Sequence, residues 1–367
     1  MAVPLIDLVR LHQSIKPEID EAISRVFQHG GFILGGEVKA FESAMAEKCG
    51  TAEAVGLASG SDALLLALHA LGIGPGDEVI VPTFTFFATA SAVSRLGARP
   101  VFGDIDARDY NLDVEKAAKL ITPRTKAILV VHLYGQMPDM VALRMLTWDR
   151  GLYLVEDAAQ AVGATYEGVQ AGACGDIGCF SFFPTKNLGA AGDGGMAVTD
   201  DTALAERVRL LRGHGAHPKY FHQIVGYNSR LDALQAAILR VKLGHLDDWT
   251  TARRAHAVVY DRELSGVGDL VLPARTCGAY HIFHQYTVAT ARRDALRAHL
   301  SQRKIGTEVY YPLPLHLQQC YAYLGGRAGD CPVAERAAQR ALSLPIFPEM
   351  TESEQGEVID AIKGFFA

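Results

Sequence analysis

The sequence predicts an α/β protein with a large, mostly parallel β-sheet domain and a smaller C-terminal α+β domain. Apolar runs of strand length alternate with segments of helical periodicity over the first part of the chain, a pattern typical of sheets covered by helices. Helical periodicity then continues from 231 to 264, longer than in most globular helices. A shorter mixture of strand and helix patterns follows. We therefore expect one domain at 1–245 and a second at 246–367.

The elements follow in order from these patterns. A first helix is predicted from Pro17 to Gln28, with proline in its first turn. Strands of the large domain are predicted at EVIVP, ARPVFGDID, TKAILVVHLYG, GLYLVEDAA, GCFSFF and GMAVTD. In the smaller domain we expect a strand at HQYTVAT, a helix at DALRAHLSQRKIG, a strand and loop at TEVYYPLPLH, and a closing helix at SEQGEVIDAIKGFF. Ligands of open sheets bind where strands end and helices begin, because helix N-termini present free N–H groups there.

Composition excludes several classes of protein. The 367 residues are 49% hydrophobic and 21% charged, as in soluble globular proteins, and the net charge of −6 gives no general attraction to nucleic acid. Six cysteines show no CxxC spacing, so we expect reduced thiols and a cytoplasmic location. The N-terminus lacks the apolar core of a signal peptide, and no later apolar run approaches the roughly 20 residues that span a bilayer. We expect neither nucleic-acid nor membrane partners.

Lys186 is the first candidate functional residue. The segment GCFSFFPTKNLGAAGDGG places it just after an apolar strand, between a proline and several glycines. An isolated lysine is usually a surface residue. Partial withdrawal from water disfavours the ammonium form, however, so the amine becomes a nucleophile that can form a Schiff base with an aldehyde.

A second candidate follows the strand in GLYLVEDAAQAVGA, which delivers Glu156 and Asp157 at its end and Gln160 three residues later. A carboxylate at the end of a buried strand needs a cationic partner. A protonated pyridine ring could be that partner and would accept electrons from a substrate carbanion. The alternative for Asp157 is a helix cap or an ion pair. The sequence does not decide which of Glu156 and Asp157 lies closer to such a ring.

A third candidate is the turn in ASGSDALLLALHALG, which leads into an amphipathic helix. Ser61 and the N–H of Asp62 could bind an anion at the helix start. Capping without any ligand is the alternative, since serine and aspartate often cap helices. The order of anion site, acid and lysine along the chain favours a phosphate-bearing cofactor.

At these residues the chain resembles the nucleotide-sugar aminotransferases of the DegT/StrS family, within the fold type I (aspartate aminotransferase-like) pyridoxal-phosphate enzymes. The resemblance covers nearly the whole chain through GSDALLLAL, PTFTFFATA, EDAAQ, SFFPTKNLGAAGDGG and GYNSRLDALQAAIL. It implies that Lys186 binds pyridoxal 5′-phosphate covalently and shuttles the proton. Asp157 would pair with the ring nitrogen, Gln160 with the phenolic oxygen, and Phe86 would stack on the ring. The residues implied for the phosphate are Ser61, Asp62, Ser181 and, from a second subunit of a homodimer, Asn228.

The resemblance also implies amino transfer from a donor, usually glutamate, to a nucleotide-linked keto sugar for cell-surface polysaccharide biosynthesis. It is greatest to enzymes that aminate C3, and within them to those acting on UDP-2-acetamido-3-keto-glucuronic acid. Arg230 is the candidate contact for an anionic substrate group, or alternatively part of an ion pair at the dimer interface. Tyr310 and Tyr311 are further candidate substrate contacts. They precede a proline where uronate-type relatives carry histidine and tyrosine, which leaves TDP-linked 3-keto-6-deoxyhexoses as an alternative.

Other classes of function fit less well. No strand is followed by GxGxxG, which a nicotinamide-dependent dehydrogenase requires. The histidine pairs 214/217 and 281/284 have no accompanying carboxylate cluster, so we predict no metal site. A regulatory protein that keeps the fold without catalysis is the alternative of another class, against which the retention of Lys186 and Asp157 argues.

Overall fold

The structure is a computed structural model that describes residues 2–367. Within these residues the α-helices have the following bounds: α1 (Leu8–Ser14), α2 (Lys16–His29), α3 (Gly36–Cys49), α4 (Gly60–Ala70), α5 (Phe87–Arg95), α6 (Val114–Lys119), α7 (Met140–Arg150), α8 (Thr202–Arg212), α9 (Ala233–Leu264), α10 (Arg293–Gln302), α11 (Pro332–Arg340) and α12 (Glu352–Phe366). Short 3-10 turns occur at Leu133–Gly135, Leu315–Leu317 and Gln319–Leu324. No helix in this part of the chain has both the length and the apolar character needed to cross a membrane.

The β-strands of the same residues form three sheets. Their bounds are β1 (Glu53–Leu57), β2 (Glu78–Pro82), β3 (Arg99–Gly103), β4 (Thr125–Val131), β5 (Tyr153–Asp157), β6 (Thr165–Tyr166), β7 (Val169–Gln170), β8 (Ile177–Ser181), β9 (Gly195–Thr199), β10 (Ala279–Tyr280), β11 (Tyr286–Ala289) and β12 (Ala341–Leu344). The large sheet has seven strands in the order β1-β9-β8-β5-β4-β2-β3. β9 is antiparallel to both of its neighbours and the other pairings are parallel. The predicted large, mostly parallel sheet is therefore confirmed.

Helices cover both faces of the large sheet, which explains why its strands read as continuous apolar runs. In β2, Ile80 packs into one core, whereas Val79 and Val81 pack into the other. The first core includes residues of α2, α3, α7 and α9, and the second includes residues of α4, α5 and α8. The carboxyl ends of the central parallel strands therefore lie at one edge of a rigid, helix-covered sheet.

The long helix α9 links the large sheet to the C-terminal part of the chain. Its first half packs against the large sheet through residues such as Leu239. Its last turns, with Tyr260 and Leu264, join a separate core with β11, β12, α10 and α12. Val3 packs into that C-terminal core as well. The predicted domain boundary at 245 and 246 lies inside α9, and it stays a prediction.

Several elements differ from the sequence-based expectation. The strand expected in TEVYYPLPLH reduces to a single bridge between Glu308 and Ser343, since the two prolines of that segment lack the N–H groups that a ladder needs. β1 was not predicted, although it forms an edge of the large sheet through its pairing with β9. Helix α11 and strand β12 were also missed; α11 is short, and β12 pairs with β11 across more than 50 residues of chain.

Candidate active site

Strand β5 ends at Asp157, whose carboxylate is buried at the carboxyl edge of the sheet. Its Oδ2 accepts a hydrogen bond of 2.7 Å from Thr89 Oγ1, and its Oδ1 accepts one of 3.2 Å from the N–H of Ala159. Burial raises the pKa of Asp157, while these hydrogen bonds and the positive charge of Lys186 act in the opposite direction. The carboxylate is thus oriented by two donors and favours a further cationic partner.

The adjacent Glu156 has a different role. Its Oε2 accepts hydrogen bonds from His132 Nε2 at 2.7 Å and from the N–H of Gly172 at 2.9 Å. Its Oε1 accepts a third, of 2.6 Å, from the N–H of Gly175. Successive residues of a strand point to opposite faces of the sheet. Glu156 therefore fixes the loop before β8, and Asp157 is the carboxylate that acts on Lys186.

Lys186 lies in the loop that follows β8, and its N–H donates to the carbonyl of Phe183 at 2.8 Å. The loop is tight: a Cβ on Gly189 would lie 2.3 Å from the carbonyl oxygen of Pro184. Burial lowers the pKa of Lys186 from 10.5 to about 8, and the charge of Asp157 partly opposes this effect. A larger fraction of this amine than of a solvent-exposed lysine is therefore unprotonated near neutral pH, which favours its action as a nucleophile.

The predicted anion site surrounds the first turn of α4. Ser59 caps this helix, and its Oγ accepts from the N–H of Asp62 at 3.1 Å. A Cβ on Gly60 would lie 2.5 Å from Cβ of Ser181, so the helix start packs directly against the end of β8. The side chains of Ser61, Asp62 and Ser181 are partly exposed there. The N–H of Asp62, predicted to bind the anion, is thus engaged by the Ser59 cap. The other N–H groups of the first turn and the hydroxyl groups of Ser61 and Ser181 provide the donors that a phosphate needs.

Aromatic and amide groups follow the carboxyl ends of β2 and β5. Phe86, at the start of α5, is 59% exposed, and its ring centroid lies 6.4 Å from that of Tyr311. Gln160 Nε2 donates to the Tyr311 hydroxyl at 3.2 Å, and its Oε1 accepts from the N–H of Tyr134 at 2.6 Å. The second N–H of the Gln160 amide stays available for another acceptor. Phe86 offers a free aromatic face on which a flat ring can stack.

Tyr310 is also held at this edge of the sheet. Its carbonyl accepts a hydrogen bond from the hydroxyl of Tyr134. Burial raises the pKa of Tyr310, and burial raises the pKa of Tyr311 further. Both phenols are therefore neutral hydrogen-bonding groups at physiological pH, and neither supplies positive charge to a substrate.

Asn228 and Arg230 flank Ser229 on an extended segment. Ser229 is fully buried, and its Oγ accepts from the N–H of Ala58 at 3.2 Å. Asn228 is exposed and Arg230 partly exposed, as expected for residues on the face opposite to Ser229. Within residues 2–367 the Arg230 guanidinium makes no ion pair or hydrogen bond. The alternative for Arg230, an ion pair at a dimer interface, stays a prediction.

Sequence reasoning missed Thr89 and the pair formed by Asn187 and His284. Thr89 lies one helical turn after Phe86, a spacing that could have indicated it. His284 Nδ1 lies 3.0 Å from Asn187 Oδ1, and burial lowers the pKa of His284 well below its ordinary value. Burial likewise lowers the pKa of His281 to about 3, and its Nδ1 accepts from the N–H of Phe283. Among the described residues no group of three potential metal ligands occurs.

This arrangement fits pyridoxal phosphate on observations independent of any relative. A buried carboxylate with a raised pKa suits a protonated pyridine nitrogen, and an amine with a lowered pKa suits an aldehyde. A helix start packed against Ser181 suits a phosphate. The fold and the site together define the class: a pyridoxal-phosphate enzyme built on a large, mostly parallel sheet.

Comparison with known proteins identifies the family. The DegT/DnrJ/EryC1/StrS aminotransferase family matches residues 13–363. The chain is 51% identical to a pleiotropic regulatory protein of Geobacillus stearothermophilus, over 100% of this chain and 99% of the relative. It is 48% identical to the UDP-N-acetyl-3-dehydro-alpha-D-glucosamine 3-aminotransferase of Acidithiobacillus ferrooxidans, over 99% and 97%. Among solved structures, DesV of S. venezuelae in complex with a ketimine intermediate has a TM-score of 0.97 and 48% identity, covering 99% of this chain and 98% of that chain.

The chain belongs to the DegT/DnrJ/EryC1/StrS aminotransferase family. It is a pyridoxal-phosphate-dependent aminotransferase, so the predicted family, fold class, enzyme class and cofactor are confirmed. The roles predicted for individual site residues stay predictions.

Proposed function

We propose that this aminotransferase moves an amino group from L-glutamate to the C3 ketone of a nucleotide-linked sugar. The observation that carries the proposal is the proximity of Lys186 to the buried Asp157 carboxylate: burial lowers the pKa of the lysine amine to about 8, and the charge of Asp157 partly opposes this effect. A relative that is 48% identical aminates C3 of a UDP-linked 2-acetamido sugar according to its name. A UDP-2-acetamido-3-keto sugar is accordingly the first candidate, with UDP-2-acetamido-3-keto-glucuronic acid as its specific form.

Each residue of the site has a separate role in the proposed reaction. Bound pyridoxal phosphate supplies an electron sink for the carbanion that forms when a substrate Cα loses its proton. Asp157, oriented by Thr89 and Ala159, holds a proton on the ring nitrogen. The Lys186 amine would move the substrate proton, first as a general base and then as a general acid.

The charged groups of the site indicate which keto sugar it can bind. Glutamate brings carboxylates, for which the unpaired Arg230 is the available guanidinium. Tyr310 and Tyr311 supply no positive charge, because a phenol is never cationic, and burial raises the pKa of both, which keeps them neutral. This observation favours a second candidate without a carboxylate at C6, namely a TDP-linked 3-keto-6-deoxyhexose. The two candidates differ in nucleotide and in charge, so purified sugars can distinguish them.

We infer that the working form is a homodimer with shared active sites. Asn228 and Arg230 face away from the buried Ser229, toward the outside of their own chain. The preceding loop exposes apolar side chains, with Phe221 68% and Val225 90% exposed. Such exposure is typical of a surface that a second subunit covers. Mixing a Lys186→Ala chain with an Asn228→Ala chain tests this. Hybrid dimers regain activity if Asn228 serves the partner's site, and mixtures stay inactive if each chain works alone.

A spectroscopic experiment tests catalysis against a purely regulatory role, which the name of the 51% identical relative raises. The purified protein should absorb as a lysine-bound cofactor, and glutamate should bleach that band. Candidate keto sugars should then restore it in the order of their kcat/KM. A protein that takes up the cofactor but does not respond to any amino donor would contradict the proposal.

The predicted cytoplasmic location is supported by six free cysteines.

A further inference from the structure

A small cavity lies beside Lys186 that none of the roles above uses. It has a volume of about 60 Å³ and is lined by four polar side chains, those of Thr185, His284, Gln285 and Tyr310. Thr185 is the residue before Lys186. Burial lowers the pKa of the His284 imidazole, and His284 lies close enough to Lys186 for the positive charge of that amine to lower it further. A cavity needs roughly 10–15 Å³ of this measure to hold one water. The space is therefore sufficient for a substituent of a few heavy atoms.

The cavity carries no charge. No lysine, arginine, aspartate or glutamate lines it. His284 is neutral, because burial holds its pKa well below the ordinary value, and Tyr310 is neutral because burial raises its pKa. Transfer of an ionised carboxylate into such a space is unfavourable without a cationic partner. The carboxylates of the amino donor, and of a uronic acid, must therefore bind elsewhere.

The polar groups of the cavity suit an amide. Gln285 is buried, its amide contacts the Tyr310 hydroxyl, and its Oε1 has no hydrogen-bond partner within residues 2–367. A buried acceptor without a partner is costly until a donor arrives. Hydroxyl groups of Thr185 and Tyr310 can donate to a carbonyl oxygen. Apolar side chains, among them Ile6 and Leu344, complete the wall and suit a methyl group.

We propose that this cavity binds the 2-acetamido group of the sugar, and that it selects 2-acetamido sugars over sugars with a hydroxyl at C2. The inference rests on the proposed function, since C2 is the carbon next to the ketone that reacts. An acetamido group has the methyl, the carbonyl and the N–H that the apolar wall, the hydroxyl donors and Gln285 match. A hydroxyl is too small to reach these groups together.

The test compares two UDP-linked 3-keto sugars that differ only at C2, acetamido or hydroxyl, with the amino form of the enzyme. The expected kcat/KM ratio favours the acetamido sugar by at least about tenfold in the unmodified protein. Ile6→Phe fills the cavity and Gln285→Leu removes its amide, and each should abolish most of this preference. Val9→Phe, at a position that is 67% exposed and outside the cavity, is the matched control and should keep it.

Calorimetric binding of UDP-N-acetylglucosamine and UDP-glucose, which lack the ketone, separates this inference from the proposed function. If neither keto sugar reacts but the acetamido preference in binding persists and disappears in Ile6→Phe, the proposed function is wrong and the subsite stands. Equal kcat/KM for the two keto sugars, or a preference that Ile6→Phe leaves unchanged, overturns the subsite while amino transfer stands. Failure of both sugar nucleotides to bind also overturns it.

Discussion

Glu156 and Asp157 are consecutive residues of β5, yet their carboxylates serve different parts of the molecule. Glu156 accepts three hydrogen bonds, from His132 and from the N–H groups of Gly172 and Gly175. Asp157 accepts from Thr89 at 2.7 Å and interacts with the charge of Lys186. The alternation of side chains along a strand separates a structural carboxylate from one that faces the cofactor site.

Substituting each carboxylate by its amide should therefore affect different properties, activity for Asp157 and stability for Glu156. Asp157→Asn should lower kcat at least about 100-fold, because a neutral amide cannot hold the proton on the ring nitrogen. Its stability should change little. Glu156→Gln should instead lower the free energy of unfolding by about 2 kcal/mol, through loss of charge-assisted hydrogen bonds in a buried site. Steady-state kinetics and chemical denaturation of both variants measure this. Equal loss of activity in two equally stable variants would contradict the division.

The reactivity of Lys186 in the cofactor-free protein should depend on pH in a defined way. Burial lowers the pKa of this amine to about 8, so acylation of Lys186 should reach half its maximal rate near that pH. Asp157 raises the pKa of Lys186, and Asp157→Asn should therefore move the half-point below 8. Peptide mass spectrometry after brief labelling measures both. A half-point near the ordinary value of 10.5 would show that the lysine is solvated.

Gly60→Ala should weaken binding of the cofactor through its phosphate. The new Cβ would lie 2.5 Å from Cβ of Ser181, so the start of α4 must move away from the end of β8. We expect a dissociation constant for pyridoxal phosphate about tenfold higher, which corresponds to about 1.4 kcal/mol. Absorbance titration of the cofactor-free protein measures it, and affinity for pyridoxal without phosphate should be unchanged.

A matched glycine controls for the effect of the extra methyl group. Gly244 lies inside α9 with nothing within 4 Å of an added Cβ. Gly244→Ala should stabilise the helix by about 0.5–1 kcal/mol and leave cofactor affinity unchanged. Reduced affinity for both pyridoxal and its phosphate in Gly60→Ala would indicate a general disturbance rather than a phosphate site.

Arg10 and Glu354 should make stability depend on acid pH. The Arg10 guanidinium donates two hydrogen bonds of 2.9 Å to the Glu354 carboxylate, which also caps the N-terminus of α12. These contacts lower the pKa of Glu354 from 4.5 to about 2. The folded protein thus binds this proton less tightly than the unfolded chain. The stabilisation is complete above pH 4.5 and is lost as the pH falls toward 2.

Glu354→Gln should therefore lower stability at pH 7 by about 2 kcal/mol. This loss is smaller than the free energy that corresponds to the full pKa shift of Glu354, because the Arg10 side chain is 36% exposed and solvent partly screens the pair. The difference from the unmodified protein should shrink toward pH 2 in urea denaturation. Glu352→Gln, at an exposed position of the same helical turn, is the control. A difference independent of pH would mean that the ion pair is not its source.

Local patterns determined much of this protein. The strand EVIVP, the long helix α9 and the positions of Asp157 and Lys186 after apolar strands follow from periodicity and composition, which act over a few residues. The order of these signals along the chain favoured a phosphate-bearing cofactor, and the resemblance of whole motifs to a known family implied the family and pyridoxal phosphate. Local patterns did not reveal β1, because an edge strand of five residues is defined by its pairing with β9.

Only the tertiary structure decided which groups meet. Gln160 and Tyr311 are 151 residues apart and are hydrogen-bonded, and Val3 forms a bridge with Ile305 across most of the chain. The partnership of Thr89 with Asp157 and the choice between Asp157 and Glu156 likewise depend on how helices and strands pack. Periodicity assigns a residue to a face of its own element, whereas contacts between distant segments are set by the packing of whole elements into shared cores.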